Sequence, residues 1–142
     1  MMLEPGRSTH KSREIGVQAS DEVMQILEAF RAAYNSVDIA ALEALVAEDV
    51  RWEHHNRFKG TGRAPLMQSI LDFAERMPGR YFDPPTRVAV NGQTVFVERK
   101  WRATPVRSDA AWGWEAGVPT SMDTCSVYVI DAGKIVEWGD YG

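Results

Sequence analysis

The sequence predicts an α+β domain in which three helices pack on one face of a strongly curved, mostly antiparallel sheet. Apolar residues recur at helical spacing in the first half of the chain, whereas in the second half they alternate with polar residues as in strands. Two turn sequences, Asn91–Gly92 and Asp131–Gly133, separate pairs of these strands and predict antiparallel hairpins. A sheet curved into a cone around its helices leaves a pocket between the two layers.

Three helices are predicted from apolar spacing and from residues that start or stop helices. The first begins at Ser20, whose side chain can cap a helix N-terminus, and the acidic residues that follow it suit the helix dipole. A second, short helix begins after Asp38, which can cap in the same way. The third carries Pro65 in its first turn and ends at Gly79.

Strands are predicted where apolar and polar residues alternate. One strand lies between the second and third helices at residues 49–54, and the glycine-rich residues 59–63 after it are predicted to form a loop. The other strands are predicted at residues 80–82, 86–90, 94–103, 120–130 and 134–142. A long loop between two of them carries Trp112 and Trp114, and it would serve as a lid or as a subunit contact.

The chain is predicted to be a tail followed by one domain. Residues 1–19 are polar and lack periodicity, which is typical of a flexible N-terminal tail. Residues 20–142 contain no internal repeat and no linker-like stretch. The total of 142 residues is the usual size of a single domain.

Composition and charge exclude several classes of function. The formal net charge of -4 argues against nucleic acid or an anionic membrane surface as a partner, because both attract clustered lysine and arginine. No apolar run reaches the roughly 18 residues that a membrane span needs, and the N-terminus lacks the apolar core of a signal peptide. Cys125 is the only cysteine, so an internal disulfide is excluded and the thiol is expected to pack. These features predict a cytoplasmic protein whose partner is a small molecule.

No metal and no other cofactor is expected. His54 and His55 are adjacent, so they face opposite sides of a strand and cannot bind one metal ion together. The chain has no HxxxH, HxH or HxxE spacing. His55 is therefore expected at the surface.

Three polar residues fall on strand faces that are predicted to line the pocket. Because every second side chain of a strand faces the same side, Asp140 lies with Trp138, and Arg99 and His54 occupy the corresponding faces of their own strands. If these faces are concave, Arg99 pairs with Asp140 in a planar contact that lowers the pKa of the carboxyl, while burial raises it. Asp140 beside His54 is then suited to act as a general base. Three alternatives stay open: Asp140 in solvent, Arg99 on an exposed sheet face, and His54 in a structural hydrogen bond.

Aromatic residues share these predicted inner faces. Trp52, Trp101 and Trp138 lie on the strands, and Tyr34 reaches inward from the first helix. Filling of the core is the expected role of Trp138, whereas a core role and a pocket-wall role are equally expected for Trp52 and Trp101. Such a wall suits a flat aromatic or polycyclic molecule.

Three stretches carry a resemblance to a known family, namely AEDV (47–50), VERKW (97–101) and DAGKIVEWGDY (131–141). Together with the order of the elements, they resemble the nuclear transport factor 2-like fold of the ketosteroid isomerase-like superfamily. Within it, the sequence is similar to the SnoaL-like polyketide cyclases and the limonene-1,2-epoxide hydrolases over about residues 20–142. The resemblance implies a cone-shaped barrel and, from the fold alone, a homodimer or other homo-oligomer through the outer face of the sheet.

The resemblance to the epoxide hydrolases also implies residue roles. Those enzymes carry an Asp-Arg-Asp arrangement that activates water and protonates the epoxide oxygen. Asp140 matches one Asp and Arg99 matches the Arg, but Trp101 stands in the place of the second Asp. Trp52 and His54 take the places of a Tyr and an Asn that help to hold the water. Epoxide hydrolysis therefore ranks below cyclase, isomerase or lyase chemistry.

The same match orients the strand at residues 120–130. It places Met122 inside the pocket, and Tyr128 shares its face, so both are predicted to bind substrate. Asp123 points outward by alternation, but a bulge would turn it inward, and several isomerases and cyclases of this fold use an Asp on this strand. Asp123 therefore stays a substrate-binding candidate.

The sequence thus predicts a cofactor-independent acid–base enzyme that acts on a small, apolar, aromatic or polycyclic molecule. Asp140 would abstract a proton from carbon or water, Arg99 would orient it and stabilise developing negative charge, and His54 would move a second proton. The reaction would be of lyase, isomerase or cyclase type. The alternatives are an epoxide hydrolase and a non-catalytic module for ligand binding or dimerisation.

Overall fold

The computed structural model describes the backbone of residues 5–142 and the side chains of residues 21–142. The elements in chain order are the helices α1 (Pro5–Ser36) and α2 (Ile39–Leu45), the strands β1 (Val46–His54) and β2 (Phe58–Thr61), the helix α3 (Arg63–Arg76), and the strands β3 (Tyr81–Phe82), β4 (Arg87–Asn91), β5 (Thr94–Ala103), β6 (Thr120–Asp131) and β7 (Lys134–Tyr141).

All seven strands belong to one sheet. Its order is β2-β1-β7-β6-β5-β3, with β4 also paired to β5. Every pairing is antiparallel except that of β1 with β7, which is parallel. The predicted class, an α+β cone with three helices packed on a curved and mostly antiparallel sheet, is confirmed. Because β6 lies between β5 and β7, groups on those two strands are separated by a full strand.

The first helix begins earlier in the chain than predicted. It begins at Pro5, and Ser20 lies inside it, so the prediction that Ser20 caps the helix is wrong. Proline suits the first position of a helix because its missing N–H would have no intrahelical partner there. Residues 5–19 of the predicted tail are thus helical, residues 1–4 lie outside the described residues, and flexibility of this segment stays a prediction. None of the described helices is long and apolar enough to cross a bilayer.

Local signals elsewhere predict the structure well. The side chain of Asp38 accepts a hydrogen bond from the backbone N–H of Ala41 at 3.1 Å, so the predicted cap of α2 is confirmed. Both predicted hairpins form, with a positive φ of 62° at Gly92 in one turn and of 75° at Gly133 in the other. Glycine adopts this left-handed backbone without steric cost, which is why these turns are tight.

The glycine-rich residues predicted as a loop after β1 include a strand instead. β2 pairs with β1, and Gly60 lies opposite Trp52. A Cβ atom at Gly60 would lie 2.3 Å from Cζ2 of Trp52, so the indole lies directly on the glycine backbone. Glycine weakens strand propensity, but here it lets a large side chain of one strand lie flat across its neighbour.

The core lies between α1 and the concave face of the sheet. The ring of Phe30 lies 5.5 Å from that of Tyr128 and 5.0 Å from that of Trp138, both on the sheet. Val95 and Val97 of β5 are fully buried beside them. The space between the helices and the sheet is not filled completely, and the candidate site lies in the remaining cavity.

Candidate active site in the cone

A cavity of about 70 Å³ opens between the helices and the concave face of the sheet. Its wall includes all five tryptophans of the chain, which are Trp52, Trp101, Trp112, Trp114 and Trp138. The polar side chains on the wall include those of Asp140 and His54. No lysine or arginine of the described residues lines this cavity. The site is therefore an aromatic chamber with a small polar region.

Asp140, on β7, supplies a carboxylate to the cavity wall. Its Oδ1 accepts two hydrogen bonds, one from Ser126 Oγ at 2.6 Å and one from Trp138 Nε1 at 2.7 Å. No described residue donates a hydrogen bond to Oδ2. Burial raises the pKa of Asp140, and the bond from Ser126, the charge of Arg99 and the bond from Trp138 partly oppose that rise. The predicted place of Asp140 in the chamber thus agrees with the geometry, and the alternative of a solvent-facing carboxylate does not.

Arg99, on β5, is 2% exposed and lies behind the cavity wall. Its Nη2 donates to Ser126 Oγ at 3.0 Å and to the hydroxyl of Tyr128, and its guanidinium carbon lies 3.7 Å from the ring centre of Phe82. The predicted planar contact between Arg99 and Asp140 is wrong. Ser126 on the intervening strand β6 pairs directly with Asp140 in the register, so its hydroxyl stands between the two charges. Arg99 does not line the cavity.

Tyr128 is also behind the wall rather than on it. Its side chain is fully buried, its ring is stacked at 10° on that of Trp138, and its hydroxyl accepts the hydrogen bond from Arg99. Burial raises the pKa of Tyr128 to about 12, so the phenol is neutral at physiological pH. The prediction that Tyr128 binds substrate is therefore wrong. It shares the concave face with Met122, as predicted, but is buried in the core.

His54, on β1, lines the cavity beside Asp140, its neighbour in the parallel register of β1 and β7. Burial lowers the pKa of His54, and the negative charge of Asp140 partly opposes this shift. The imidazole is therefore mainly neutral at pH 7. Its Nδ1 is buried and has no hydrogen-bond partner among the described residues. His55 faces the other way, with its ring 4.7 Å from that of Tyr141, so the predicted opposition of the two histidines is confirmed.

Asp123 points away from the cavity. It pairs with Lys100 across the β5–β6 register, and its Oδ1 lies 3.0 Å from the ammonium nitrogen of that lysine. The side chain is 86% exposed. The register of β6 has no bulge at this position, so nothing turns Asp123 inward and its place among the substrate-binding residues is wrong. Met122, one residue earlier, does line the cavity.

The predicted aromatic wall is present and is anchored by hydrogen bonds. Trp101 Nε1 donates to the hydroxyl of Tyr34 at 3.0 Å, and both side chains line the cavity. Trp52 Nε1 donates to the carbonyl of Gly62 at 3.1 Å. Trp138 lines the cavity as well as filling the core. Because the indole N–H groups have partners, the aromatic rings can be held as a wall without unsatisfied polar groups.

The loop between β5 and β6, residues 104–119, contributes two tryptophans to the cavity wall. Trp112 and Trp114 stack on each other with ring centres 4.7 Å apart and planes 9° apart, and Trp114 also stacks on Trp101 at 5.9 Å. Arg57 of the β1–β2 turn lies over the ring of Trp112 at 3.8 Å and donates to the carbonyl of Ala111 at 3.1 Å. Both tryptophans line the cavity, which agrees with the predicted lid, and the alternative role as a subunit contact stays a prediction.

Ser126 is the functional candidate that the sequence reading did not propose. Alternation places it on the same inner face as Met122, so the face was predictable. Its role was not, because a serine within a strand carries no motif. Only the three-strand register brings its hydroxyl between Arg99 and Asp140.

Comparison with known proteins agrees with this geometry. A family model described as a SnoaL-like domain matches residues 27–138. No curated protein matches the chain significantly. Among solved structures, an LEH-like epoxide hydrolase from M. tuberculosis has a TM-score of 0.70 at 21% identity, covering 85% of this chain and 82% of its own. A candidate polyketide cyclase from Xanthomonas campestris has a TM-score of 0.76 at 18% identity, covering 86% of this chain and 90% of its own.

A third solved structure has a ketosteroid isomerase-like fold. It comes from Catenulispora acidiphila, was determined in complex with trimethylamine, and has a TM-score of 0.69 at 18% identity, covering 82% of this chain and 84% of its own. At these identities the three structures establish the shared fold and leave the reaction of this chain open.

Proposed function

The chain belongs to the SnoaL-like domain family, and we propose that it is an acid–base enzyme, independent of cofactors, that acts on a small, neutral, aromatic molecule. The observation that carries the proposal is the state of Asp140: its Oδ1 is held by two protein donors, its Oδ2 has no described donor, and it lies in an aromatic cavity beside a neutral histidine. A buried carboxylate with a raised pKa and a free oxygen has the properties of a general base. The reaction is of lyase, isomerase or cyclase type.

In the proposed first step, Oδ2 of Asp140 takes a proton from a carbon atom of the substrate next to a carbonyl group. The C–H bond breaks, its electron pair moves into the substrate as an enolate, and Asp140 becomes neutral. His54 lines the cavity beside Asp140 and is proposed to exchange a second proton with the substrate. Isomerisation is completed when Asp140 returns its proton to another atom of the enolate. Cyclisation is completed when the enolate carbon attacks a second carbonyl carbon of the same substrate, the π bond of that carbonyl breaks, and its oxygen takes the proton back from Asp140.

Arg99 has a narrower role than the sequence suggested. It lies behind Ser126 and lines no part of the cavity, so it does not touch the substrate. Its positive charge favours the ionised form of Asp140, which is the form that a base needs. Arg99 is therefore proposed as a positioning residue.

The cavity wall supports a neutral substrate. No described lysine or arginine faces the cavity, so an anionic substrate would bring an unpaired charge into an apolar chamber beside another carboxylate. The tryptophans offer flat surfaces for a planar ring.

Epoxide hydrolysis remains the second candidate, supported by the shared fold of the mycobacterial enzyme. It is ranked lower because the indole of Trp101 stands where the resemblance would require a second acid, and its N–H is already bound to Tyr34. A non-catalytic binding module is the third alternative. Assembly into a homodimer or other homo-oligomer stays a prediction of the fold.

The test uses hydrogen–deuterium exchange at carbon, because it detects proton abstraction without knowledge of the natural substrate. We expect the protein to accelerate exchange of 2-tetralone, a flat aromatic ketone with acidic C–H bonds, in deuterated water. In Asp140→Asn the acceleration should fall by about 10²- to 10⁴-fold, the usual contribution of a general base. Nuclear magnetic resonance of the ketone gives the rate, and the spectrum of the protein verifies that the variant is folded.

Binding experiments separate the alternatives. Tryptophan fluorescence reports directly on the cavity, and we expect benzyl alcohol to bind at least about 10-fold more tightly than benzoate, the tenfold step that corresponds to about 1.4 kcal/mol. Binding of neutral aromatics with no acceleration of exchange for any enolisable ketone would identify a binding module. Exchange that is unchanged in Asp140→Asn would contradict the assignment of the base.

A further inference from the structure

The buried charge of Arg99 has no carboxylate partner within 4.0 Å among the described residues. Asp140 is on β7, which is separated from the strand of Arg99 by β6 alone. Its Nη2 is instead bound to two hydroxyl oxygens, those of Ser126 and Tyr128. Ser126 is fully buried, so no bulk water competes for its hydroxyl. The contact between the arginine and the aspartate therefore passes through a single serine.

Counting protons fixes the direction of these hydrogen bonds. A guanidinium group can only donate, so Ser126 Oγ must accept from Arg99. A serine hydroxyl has one proton, and its other neighbours are the Tyr128 hydroxyl, which can donate or accept, and the carboxylate of Asp140, which in its ionised form can only accept. The proton of Ser126 consequently lies towards Oδ1 of Asp140. The hydrogen bonds are therefore donated from Arg99 to Ser126 and from Ser126 to Asp140. This direction cannot reverse while Asp140 is ionised.

The two oxygens of Asp140 are thereby made unequal. Oδ1 receives the hydroxyl of Ser126 and the indole N–H of Trp138, which together stabilise negative charge on that oxygen. Oδ2 receives no hydrogen bond from a described residue, while Asp140 itself lines the cavity. A proton arriving from the cavity meets Oδ2, whose lone pairs are free.

We propose that Ser126 is a positioning residue that conveys the charge of Arg99 to Asp140 and, with Trp138, selects Oδ2 as the oxygen that takes the proton. This inference deepens the proposed function and rests on it for its consequence in catalysis. The hydrogen-bonding part stands on the geometry alone. In this chain the serine replaces a direct arginine–carboxylate contact, and the reacting oxygen is left without a protein partner.

The experiment measures the pKa of Asp140 in the free protein, so its outcome does not depend on any substrate. Carbon-13 labelling of the aspartate carboxyl groups gives the titration by nuclear magnetic resonance. Loss of a hydrogen bond to a charged group should raise the pKa of Asp140 in Ser126→Ala by about one unit, which is a tenfold change in its acidity. In 2-tetralone exchange, the acid limb of the rate profile should move upward by the same amount.

Thr124→Val is the matched control. Thr124 is another buried hydroxyl on the same strand and face, and it also lines the cavity, but it donates to the backbone carbonyl of Arg99 at 2.9 Å and makes no hydrogen bond to Asp140. Its removal should leave the pKa of Asp140 within about 0.3 units, well below the spread seen in folded proteins. Ser126→Cys, which keeps a weak donor of similar size, should shift the pKa in the same direction by less than the alanine variant and provides the measurement if the alanine variant does not fold.

Two results would overturn the inference. One is a folded Ser126→Ala protein in which the pKa of Asp140 is unchanged. The other is an equal shift in Thr124→Val, because the effect would then reflect any loss of a buried hydroxyl. If the pKa shift is found but 2-tetralone exchange is not accelerated, the proposed function fails while the role of Ser126 stands.

Discussion

The two ends of the cavity are built from different kinds of structure. At the sheet end, Arg99, Ser126 and Asp140 lie on three neighbouring strands, where backbone hydrogen bonds fix their spacing. At the lid end, Trp112 and Trp114 lie on a loop and are held by ring stacking and by one arginine. The difference indicates that the sheet sets the position of Asp140, the proposed base, whereas the loop is expected to set the size of the chamber and access to it.

Truncation of the lid should give the largest effect on stability and the clearest separation of the two ends. Trp114 is 6% exposed and stacks on both Trp112 and Trp101, so Trp114→Ala should lower the free energy of unfolding by about 3–5 kcal/mol. The pKa of Asp140 should fall towards its ordinary value, because burial is the largest cause of its rise and loss of the indole admits water to the cavity, whereas the lid donates no hydrogen bond to Asp140. Urea unfolding and the carboxyl titration measure the two quantities. A pKa that rises, as is expected for Ser126→Ala, would mean that the lid also holds the hydrogen bonds of the sheet end.

The sheet end should show a signature in the pH dependence of stability. Burial raises the pKa of Asp140 in the folded state, so between the unfolded value of about 3.9 and the folded value the unfolded chain loses its proton first. Stability therefore falls as pH rises through that window and stays lower above it. The loss should be about 1.4 kcal/mol for each unit by which the pKa is raised.

Asp140→Asn removes this contribution, so the comparison with the original protein isolates it. The difference in free energy of unfolding, original minus variant, should decrease as pH rises from 4 through the folded pKa. His54 acts in the opposite sense, because its lowered pKa makes stability rise with pH up to about 6.5, but it is present in both proteins and largely cancels. A difference that does not change with pH would show that the carboxyl group is not desolvated.

The smallest expected effect is at the contact that holds the lid. Arg57→Gln removes the guanidinium from the ring of Trp112 and should cost about 0.5–1 kcal/mol of stability. Association and dissociation of benzyl alcohol should both become faster in stopped-flow fluorescence, since the loop opens more readily. Arg51→Gln is the matched control, because Arg51 is on the same hairpin but pairs with exposed Glu137 and does not contact the lid. Equal rates in the two variants would assign no gating role to Arg57.

Most of the fold was predictable because its signals are local. The Asp38 cap and the two glycine turns each depend on a few adjacent residues, and all three are present. The two errors have opposite causes. Ser20 resembles a cap but lies within a helix that starts at Pro5, and Gly60 resembles a loop residue but lies in a strand beneath Trp52.

The sequence was sufficient to predict which side chains face the cavity, but not which side chains contact each other. Alternation placed Asp140 and His54 on the inner face, where the structure has them, and their catalytic roles stay predictions. Alternation does not tell which strand lies between two others, so it paired Arg99 with Asp140 directly. It also does not give depth along the cone, which is why Tyr128 was placed in the pocket wall although it is fully buried in the core.

Gly60 is a single position at which substitution would change the shape of the cavity. Because any side chain there would begin 2.3 Å from Cζ2 of Trp52, the indole would have to shift, and Trp52 is part of the cavity wall. A library of residues at this single position, on the surface strand β2 and away from Asp140, would therefore reshape the chamber from outside it. Gly60 thus determines how much of the cavity the indole of Trp52 leaves free for a ligand.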